Sequence, residues 1–423
     1  MKNVDRRVLV LAIARAADSL GNSFLIVILP IYLGSSRIMT ESLVGGSFLG
    51  VPLTLQLYIG VVLSVYGLLS SVGQPVMGAF SDRLQKRRVF VLVGLLIFGG
   101  AGIGFPFMSS LVPVLFLRAI QGLGAAMAIP ATIALVNEFS RETGRRGENF
   151  GVFNQLRLIG FGFGPLLAGT IVAAGPYRTP VLTIAGIDAA FATSVLGAIV
   201  SVFLVLFLVD EPESQRDFQS GPDTKNTLKE VPGSSGLRVA LTLAVGTFFM
   251  ASAIAIFATL ENPINKRLNQ GTFLFSVQFA AAILANVMGQ RYVGRASDRY
   301  GRRPFILIGF VILAPAVFAQ AFITSSVQMA IARLILGVGV ASVFAPSLAL
   351  IGDIAAEQSG RLLSFVTSGF GLGVAFGPFI SGVLFSIGSY QTPFLVAGGL
   401  SLVGLALSYM FVVEPEPVTE PRA

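Results

Sequence analysis

The stretch Gly78-Ala79-Phe80-Ser81-Asp82-Arg83-Leu84-Gln85-Lys86-Arg87-Arg88 is a short basic turn between two long apolar runs, and it decides the fold. It returns once, 216 positions later, as Gly294-Arg295-Ala296-Ser297-Asp298-Arg299-Tyr300-Gly301-Arg302-Arg303. Both copies place a glycine, then Ser-Asp-Arg, then a basic cluster at the start of a new apolar run. A signature that recurs after half the chain predicts two halves of similar structure.

The composition is that of a chain made of membrane-spanning segments. Of its 423 residues, 54% are hydrophobic and only 12% are charged, and the mean hydropathy is +0.81. A soluble protein of this size does not need so much apolar surface, whereas a set of membrane spans does. The net charge of +8 comes from basic residues in short loops between the apolar runs, so it indicates orientation in a lipid bilayer and not nucleic-acid binding.

The chain contains neither cysteine nor histidine. A disulfide framework and a thiolate metal site are therefore excluded, and we expect no metal and no cofactor. Any proton carrier must be a carboxylate or a chain of water molecules. Because no phosphate-binding loop of the type GxxxxGK[ST] occurs, we do not expect transport driven by ATP.

The apolar runs predict twelve helices of about 20 residues or more, long enough to cross a hydrocarbon core of ~30 Å. They cover residues 8–33, 52–78, 88–108, 111–137, 149–174, 181–209, 238–260, 271–292, 304–323, 327–351, 361–387 and 390–413. We therefore expect an all-α polytopic membrane protein with one six-helix bundle in residues 1–209 and a second in residues 237–413. Residues 210–236 are expected to form a polar linker and residues 414–423 a disordered tail.

The distribution of basic residues predicts the orientation. Of the 29 Lys and Arg residues, 21 lie on the side that holds the N-terminus, both signature loops, the linker and the tail. The other side holds four, namely Arg37, Arg178, Lys266 and Arg267. Since cytoplasmic loops carry the excess of positive charge, we expect a multi-pass protein of the cell membrane with both termini in the cytoplasm.

The halves match beyond the signature loops. In the fourth and tenth predicted helices, Arg118-Ala-Ile-Gln-Gly122-Leu-Gly124 has its counterpart in Arg333-Leu-Ile-Leu-Gly337-Val-Gly339. In the fifth and eleventh, Gly160-x3-Gly164-Pro165-x3-Gly169 returns as Gly373-x3-Gly377-Pro378-x3-Gly382. Two six-helix units in parallel arrangement, with a cavity between them at mid-membrane, are the architecture that such a repeat implies.

Charged residues inside predicted spans are the strongest functional signal, because each costs a few kcal/mol unless it is paired or hydrated. Arg15, Asp18 and Asn22 lie on one face of the first helix at spacings of three and four, with Asp18 about 15 Å from the cytoplasmic end. The other candidates are Arg118 and Gln121, Arg157 with Asn154, Asp188, Gln278, Asn286, and Arg333 with Glu261 as its possible partner. Two other interpretations remain: Arg15 and Arg157 reach toward the cytoplasmic face, or Asp18 forms only a structural ion pair with Arg15.

These motifs resemble the major facilitator superfamily. The two basic turns resemble its loop signature G-x-x-x-D-R-x-G-R-R, found between helices 2 and 3 and between helices 8 and 9, and the first copy departs from it at Gln85. The stretch from Gly151 through Pro165 to Gly169 resembles the family's antiporter motif, whose residues here are Gly151, Gly160, Gly164, Pro165 and Gly169. The resemblance covers nearly the whole chain and is closest to twelve-helix drug:proton antiporters.

The resemblance assigns roles to these residues. It implies a proton-coupling group of Asp18, Arg118 and Asp188, in which a carboxylate takes up a proton and the arginine senses it. It also implies a conformational latch made by Gly78, Asp82, Arg83, Gly294, Asp298 and Arg299. In this latch, Asp82 would accept hydrogen bonds from the start of the eleventh helix, near residue 360, when the cytoplasmic side is closed.

We therefore expect a monomeric secondary transporter and not an enzyme, with a small molecule and protons as its partners. The interpretation is a proton-coupled exporter of small, hydrophobic or drug-like molecules. The substrate cavity is assigned to Asn22, Gln121, Arg157, Gln278, Asn286 and Arg333. A proton-coupled symporter of a sugar or organic acid is the alternative, since the scaffold does not fix direction and the buried arginines suit an anion. A non-transporting receptor is a third class, for which loss of intramembrane charge is the expected sign.

Overall fold

The computed structural model describes residues 4–38, 44–178, 180, 182–211, 234–354 and 359–414. Within these ranges twelve helices are long and apolar enough to cross a membrane, which confirms the predicted fold class. The first six are α1 (Arg6–Leu33), α2 (Leu55–Leu84), α3 (Arg87–Gly104), α4 (Leu111–Thr143), α5 (Arg146–Ala174) and α6 (Gly186–Leu208). Most of the predicted linker and tail lies outside the described residues.

The second half repeats the pattern with one addition. Its helices are α7 (Ser234–Thr259), α8 (Glu261–Leu268), α9 (Thr272–Tyr300), α10 (Arg302–Gln320), α11 (Ser326–Ile354), α12 (Ser359–Ile387) and α13 (Thr392–Phe411). The short polar helix α8 was not predicted from the sequence. Outside the helices lie a 3-10 turn (Phe105–Phe107) and two small antiparallel hairpins: β1 (Ser47–Phe48) with β2 (Val51–Pro52), and β3 (Tyr177–Arg178) with β4 (Thr183–Ile184).

Several helices continue beyond the apolar runs that predicted them. The predictions ended α2 at residue 78, α4 at residue 137 and α9 at residue 292, whereas the helices end at Leu84, Thr143 and Tyr300. Because a helix keeps its backbone hydrogen bonds in water as well as in lipid, a polar extension need not end it where the apolar run ends. Both signature motifs therefore lie in the last turns of α2 and α9 and in the tight turns that follow.

Helix packing is the same in the two halves. In the first half α1 packs against α5 and α6, α4 packs against α2 and α3, and α3 also contacts α6. The second half repeats these contacts with α7 against α12 and α13, α11 against α9 and α10, and α10 against α13. The tightest approaches are at glycines. A Cβ atom at Gly160 would lie 2.2 Å from Ala16 O, and one at Gly373 would lie 2.4 Å from Phe248 O.

The halves touch at one end of the bundle, which we call the closed end; α1 ends there and α2 begins. The most extensive contacts between the halves are those of α2 with α12 and of α5 with α9. Along the first pair, Thr54 Oγ1 lies 2.6 Å from Ser386 Oγ, and a Cβ atom at Gly60 would lie 2.4 Å from Pro378 O. One at Gly371 would lie 3.8 Å from Ser71 Oγ, so the two helices separate as they leave the closed end.

The pair α5 and α9 separates in the same way. Gly151, Gly162 and Gly169 share one stripe of α5, since spacings of 7 and 11 residues return to nearly the same helix face. Cβ atoms at Gly169 and Gly162 would lie 2.1 Å from Ser276 Oγ and 3.2 Å from Ile283 Cγ2, whereas open space surrounds that position at Gly151. We call this separated end, where α2 ends and α3 begins, the open end.

The signature turns at the open end differ in backbone conformation. Gln85 ends α2 in the left-handed region, with φ 52° and ψ 28°, and its Nε2 donates to Asp82 O at 2.8 Å. Gly301 ends α9 at φ 94° and ψ 153°, a region that is open almost only to glycine. The family's glycine is therefore required in the second turn, while the first tolerates glutamine because the side chain bonds the helix end.

We expect Gly301→Ala to lower the free energy of unfolding by about 1–3 kcal/mol, the usual cost of this backbone region for a residue with a Cβ atom. The new Cβ would also lie 2.7 Å from Glu414 Oε1 and displace that carboxylate. Thermal unfolding in detergent measures the effect. Gln85→Ala at the equivalent turn is the matched control and should change stability much less; equal losses in the two variants would contradict the argument.

Candidate functional site

Asp18 lies inside the first half. Arg15 Nη1 donates to Asp18 Oδ2, and only 7% of Asp18 is exposed. The pair borders a cavity of about 10 Å³ between α1, α3, α4 and α6, close to the smallest volume that holds one water molecule. The sequence predicted that Asp18 faces the space between the halves; the structure instead places it against this internal cavity.

Arg118 is buried on α4 of the same half. It is 2% exposed, its Nη1 donates to Gln121 Oε1 at 3.0 Å, and its Cζ lies 4.4 Å from the centroid of the Tyr66 ring. Tyr66 lies within electrostatic range of both Arg118 and Asp18. Among the described residues no ion pair joins Arg118 to a carboxylate; Gln121 and the Tyr66 ring are its contacts instead.

Asp188 lies at the closed end and not near Arg118. Residues 183–184 form a hairpin strand, so α6 begins only at Gly186 and Asp188 falls in its first turn. Arg37 Nη2 donates to Asp188 Oδ2 at 2.9 Å, and this carboxylate raises the pKa of Arg37 above its usual value. The expectation that Asp188 is an intramembrane partner of Arg118 was wrong, because the sequence placed the start of this helix too early.

Two further polar candidates of the first half lie on α1 and α5. Arg157 donates from Nε and Nη2 to Asn154 Oδ1 at 3.1 and 2.9 Å, and it lies within electrostatic range of Arg15. Asn154 is exposed and lies on the side of α5 away from its exposed apolar residues Ile159 and Phe163. This pair therefore borders the gap between the halves. Asn22 has a buried Oδ1 without a hydrogen-bond partner in the described structure.

The polar residues of the second half divide into two places. Gln278 is buried near the closed end, where its Nε2 donates to Gln270 Oε1 at 2.8 Å and to Ser326 O at 3.2 Å. It is part of a polar network inside the second half, so its assignment to the cavity wall was wrong. Asn286 lies further along α9, and its Oδ1 accepts from Gln290 Nε2 at 3.1 Å.

Arg333 repeats the environment of Arg118. It is fully buried, and its Cζ lies 4.1 Å from the Phe257 ring centroid and 5.7 Å from that of Phe279. Its Nε donates to Gln278 O at 3.4 Å, while Nη1 and Nη2 have no partner among the described residues. The predicted pairing with Glu261 is not formed. Both halves thus bury one arginine against aromatic rings near the closed end.

The signature residues form two equivalent charge clusters at the open end. Arg87 contacts Asp82 Oδ1 at 3.1 Å and also pairs with Glu138; Arg302 pairs with Asp298 and contacts Asp353 Oδ2 at 3.1 Å. Sequence reasoning missed Glu138 and Asp353, although they share the 215-residue offset of Arg118 and Arg333. The side chains of Asp82 and Asp298 are mostly exposed. The contact of Asp82 with the start of α12 remains a prediction, because side chains at 359–361 lie outside the described residues.

Sequence reasoning also missed two glutamates, one directly after the last helix of each half. Glu211 accepts from Arg88 N at 3.2 Å with both carboxylate oxygens, and Glu414 Oε1 accepts from Arg302 N. Each occupies the N-terminal end of a helix, where unpaired N–H groups and the helix dipole favour a negative charge. The repeated Glu-Pro pairs 211–212 and 414–415 were the signal available in the sequence.

The glycines of the predicted antiporter motif allow α5 to pack closely against two helices, α1 and α9. Gly160 and Gly164 bring α5 against α1, where a Cβ atom at residue 164 would lie 2.8 Å from Leu20 O. Gly169 lies against α9 of the other half, and Gly151 lies in open space at the open end. Close packing explains the first two positions. The last two change their surroundings if the halves move relative to each other.

Known proteins share this arrangement. An uncharacterized MFS-type transporter of Mycobacterium tuberculosis is 25% identical over 86% of this chain and 86% of its own length. The multi-drug resistance efflux pump PmrA homolog of Lactococcus lactis is 23% identical over 84% of this chain and 85% of its own length. The solved structure of a D-xylose-proton symporter has a TM-score of 0.73 over 96% of this chain and 97% of that chain, at 16% identity, which shows the fold. Since the model of the Major Facilitator Superfamily matches residues 11–261 and 241–423, the chain belongs to this superfamily of membrane transporters, which are not enzymes.

Proposed function

We propose that this transporter is a proton-coupled exporter of small, hydrophobic or drug-like molecules that works by alternating access. The observation that carries the coupling is the Asp18–Arg15 pair, a carboxylate almost completely buried in a chain without histidine. Protonation of Asp18 breaks this pair and leaves Arg15 as an uncompensated charge. That change can bias the packing of α1 against its neighbours.

Alternating access is supported by the contacts between the halves. α2 with α12 and α5 with α9 touch at the closed end and separate toward the open end. We assign the open end to the cytoplasm, because it carries the signature turns and most of the basic residues. The structure is then inward-facing, a state in which the proposed latch requires Asp82 to be released from the start of α12; Asp82 Oδ1 lies 3.1 Å from Arg87 Nη2.

Export is supported by several relatives that are named multidrug resistance proteins or efflux pumps, and by the glycine and proline motif of α5. The alternative is a proton-coupled symporter of a sugar or an organic acid. It is favoured by the buried Arg118 and Arg333 and the half-buried Arg157, which suit an anionic substrate.

Transport assays in vesicles of both orientations, with an imposed pH gradient and a panel of substrates, distinguish these functions. An exporter accumulates substrate in inside-out vesicles when their lumen is acidic. A symporter accumulates it in right-side-out vesicles when the outside is acidic. Accumulation that is independent of the gradient in both orientations would exclude proton coupling.

We expect Arg118→Lys to reduce proton-driven transport by about tenfold or more. Lysine cannot lay a planar cation on the Tyr66 ring while donating to Gln121, and a desolvated cation–π contact is worth about 2 kcal/mol. The measurement is the initial rate of uptake driven by a pH gradient, normalised to the amount of folded protein. Full activity of the lysine variant would show that Arg118 acts only as a point charge.

A further inference from the structure

A second buried carboxyl group lies in the other half, at the start of α8. Glu261 is 1% exposed. Its Oε1 accepts from Asn265 Nδ2 at 2.5 Å and from Thr272 Oγ1 at 3.4 Å. Its Oε2 is buried and has no hydrogen-bond partner in the described structure. An ionised carboxylate would leave charge on this oxygen without a donor, which costs far more than burial of a neutral carboxylic acid.

Among the residues that the structure describes, no ion pair joins Glu261 to a basic side chain. Three neighbouring segments contain no charged side chain: residues 19–36 in α1 and just after it, residues 239–259 of α7, and residues 272–290 of α9. On α8 itself Lys266 is exposed, and Arg267 donates to Ile323 O and lies over the Tyr390 ring. On α11, Arg333 lies over Phe257. On α1, the hydroxyl of the titratable Tyr32 donates to Phe105 O and Met108 O in the first half.

The energetics follow from this environment. Burial raises the pKa of Glu261 from 4.5 to about 7, against the opposing effect of the hydrogen bonds from Thr272 and Asn265. The group therefore exchanges its proton near neutral pH while it stays buried. If it is exposed to water, it returns toward its ordinary pKa and ionises.

Glu261 also lies at the seam between the halves. The next residue, Asn262, donates from Nδ2 to Pro30 O of α1 at 3.5 Å, and a Cβ atom at Gly34 would lie 2.7 Å from the same Nδ2. The helix α8 thus joins the end of α1 to the second half at the closed end. When that end opens, α8 and α1 separate, and water reaches this region.

We propose that Glu261 is a proton-binding site at the closed end, holding its proton on Oε2 while that end is shut and losing it to water when the end opens. Only the transfer of one proton between Oε2 and water takes place, and no other bond changes. The consequence for coupling rests on the proposed transport function, whereas proton binding itself does not. Protonation favours the closed end, because only the protonated form is buried without an unpaired charge.

The sign of the pH dependence follows. Below about pH 4.5 the carboxyl group is protonated in both states, so it does not discriminate between them. Between about pH 4.5 and 7, ionisation of Glu261 increasingly stabilises the state in which this end is open. Above about pH 7, the free-energy difference between the open and closed states no longer changes with pH. The equilibrium should therefore shift toward opening of this end by up to roughly 300-fold over that range, since the two pKa values differ by about 2.5.

Infrared difference spectroscopy tests the protonation directly. A pH titration of the purified transporter in lipid should show a protonated-carboxyl C=O band that disappears near pH 7 in the wild type and is absent in Glu261→Gln. Thr272→Val removes one donor to Oε1, so the band should persist to higher pH in that variant. A band that is unchanged in Glu261→Gln would overturn the proposal.

Distances between spin labels test the conformational consequence without any substrate. Since the chain has no cysteine, Val112→Cys on α4 and Val327→Cys on α11 introduce a unique pair across the closed end, at exposed positions. The wild-type distance should lengthen as the pH rises, while Glu261→Gln should stay short at every pH. An identical pH response in both proteins would contradict the proposal. Both experiments remain decisive if proton-driven transport itself is not observed.

Discussion

Asp18→Asn should abolish accumulation driven by a pH gradient while substrate binding and exchange without a gradient are retained. Asparagine has nearly the shape of aspartate but cannot take up or release a proton, so the variant is fixed in the uncharged form. The measurement is uptake into vesicles with and without an imposed gradient. Glu142→Gln is the matched control, because that carboxylate pairs with Arg7 at a half-exposed site of the open end. It should keep gradient-driven uptake.

A structural role of Asp18 predicts a different result. If the ion pair with Arg15 only stabilises the fold, the single variant loses activity because Arg15 is left buried without a partner. The double variant Arg15→Gln/Asp18→Asn should then recover both stability and transport. We expect recovery of stability without recovery of gradient-driven accumulation. Normal accumulation by either variant would remove Asp18 from proton coupling.

The fold was predictable because each span carries its own signal. A run of about 20 apolar residues can hardly be placed anywhere but in a bilayer, and the repeated basic turns related the two halves before any contact was known. The short helix α8 was missed for the same reason: its eight residues, Glu261–Leu268, are mostly polar and carry no such signal. The group proposed here as a second proton site therefore lay at a predicted helix end, where boundaries are least certain.

The direction of the polar side chains could not be predicted. Helices that are apolar all round show no amphipathic face, so their sequence does not tell which side meets the partner half, the interior of the same half or lipid. Gln278 was assigned to the substrate cavity, but it points into its own half, as does Asp18 of the proton-coupling group. An estimate of depth in the membrane is also wrong when the start of a helix is misplaced, as it was for the helix that carries Asp188. Charge clusters such as Arg87 with Glu138 depend on which helices are neighbours, which only the three-dimensional structure gives.

Gly382→Ala should shift the conformational equilibrium by about 5- to 150-fold away from the structure described above, toward the state in which the closed end is open. A Cβ atom at this position of α12 would lie 2.7 Å from Gln56 O and 2.8 Å from Leu57 Cα on α2. Both are backbone atoms, so neither can rotate away, and the two helices must separate. Overpacking of this kind costs about 1–3 kcal/mol, and the cost falls only on the state in which these helices touch.

The equivalent change in the other pair of helices should have a similar effect. A Cβ atom at Gly169 would lie 2.1 Å from Ser276 Oγ and 2.6 Å from Ser276 Cβ; the hydroxyl group can turn away, but the Cβ atom is fixed to the backbone. Gly169→Ala should therefore shift the same equilibrium in the same direction by a comparable amount. Gly100→Ala on α3 is the control, since open space surrounds that position.

The spin-label pair at residues 112 and 327 measures the effect of both substitutions at the closed end. Gly382→Ala and Gly169→Ala should both lengthen the main distance across that end, and Gly100→Ala should leave it unchanged. Transport should fall in the first two variants, because a cycle held in one state turns over slowly. If Gly382→Ala keeps the wild-type distance and unfolds at a lower temperature instead, α2 and α12 stay together throughout the cycle. The halves would then have to move about some other contact.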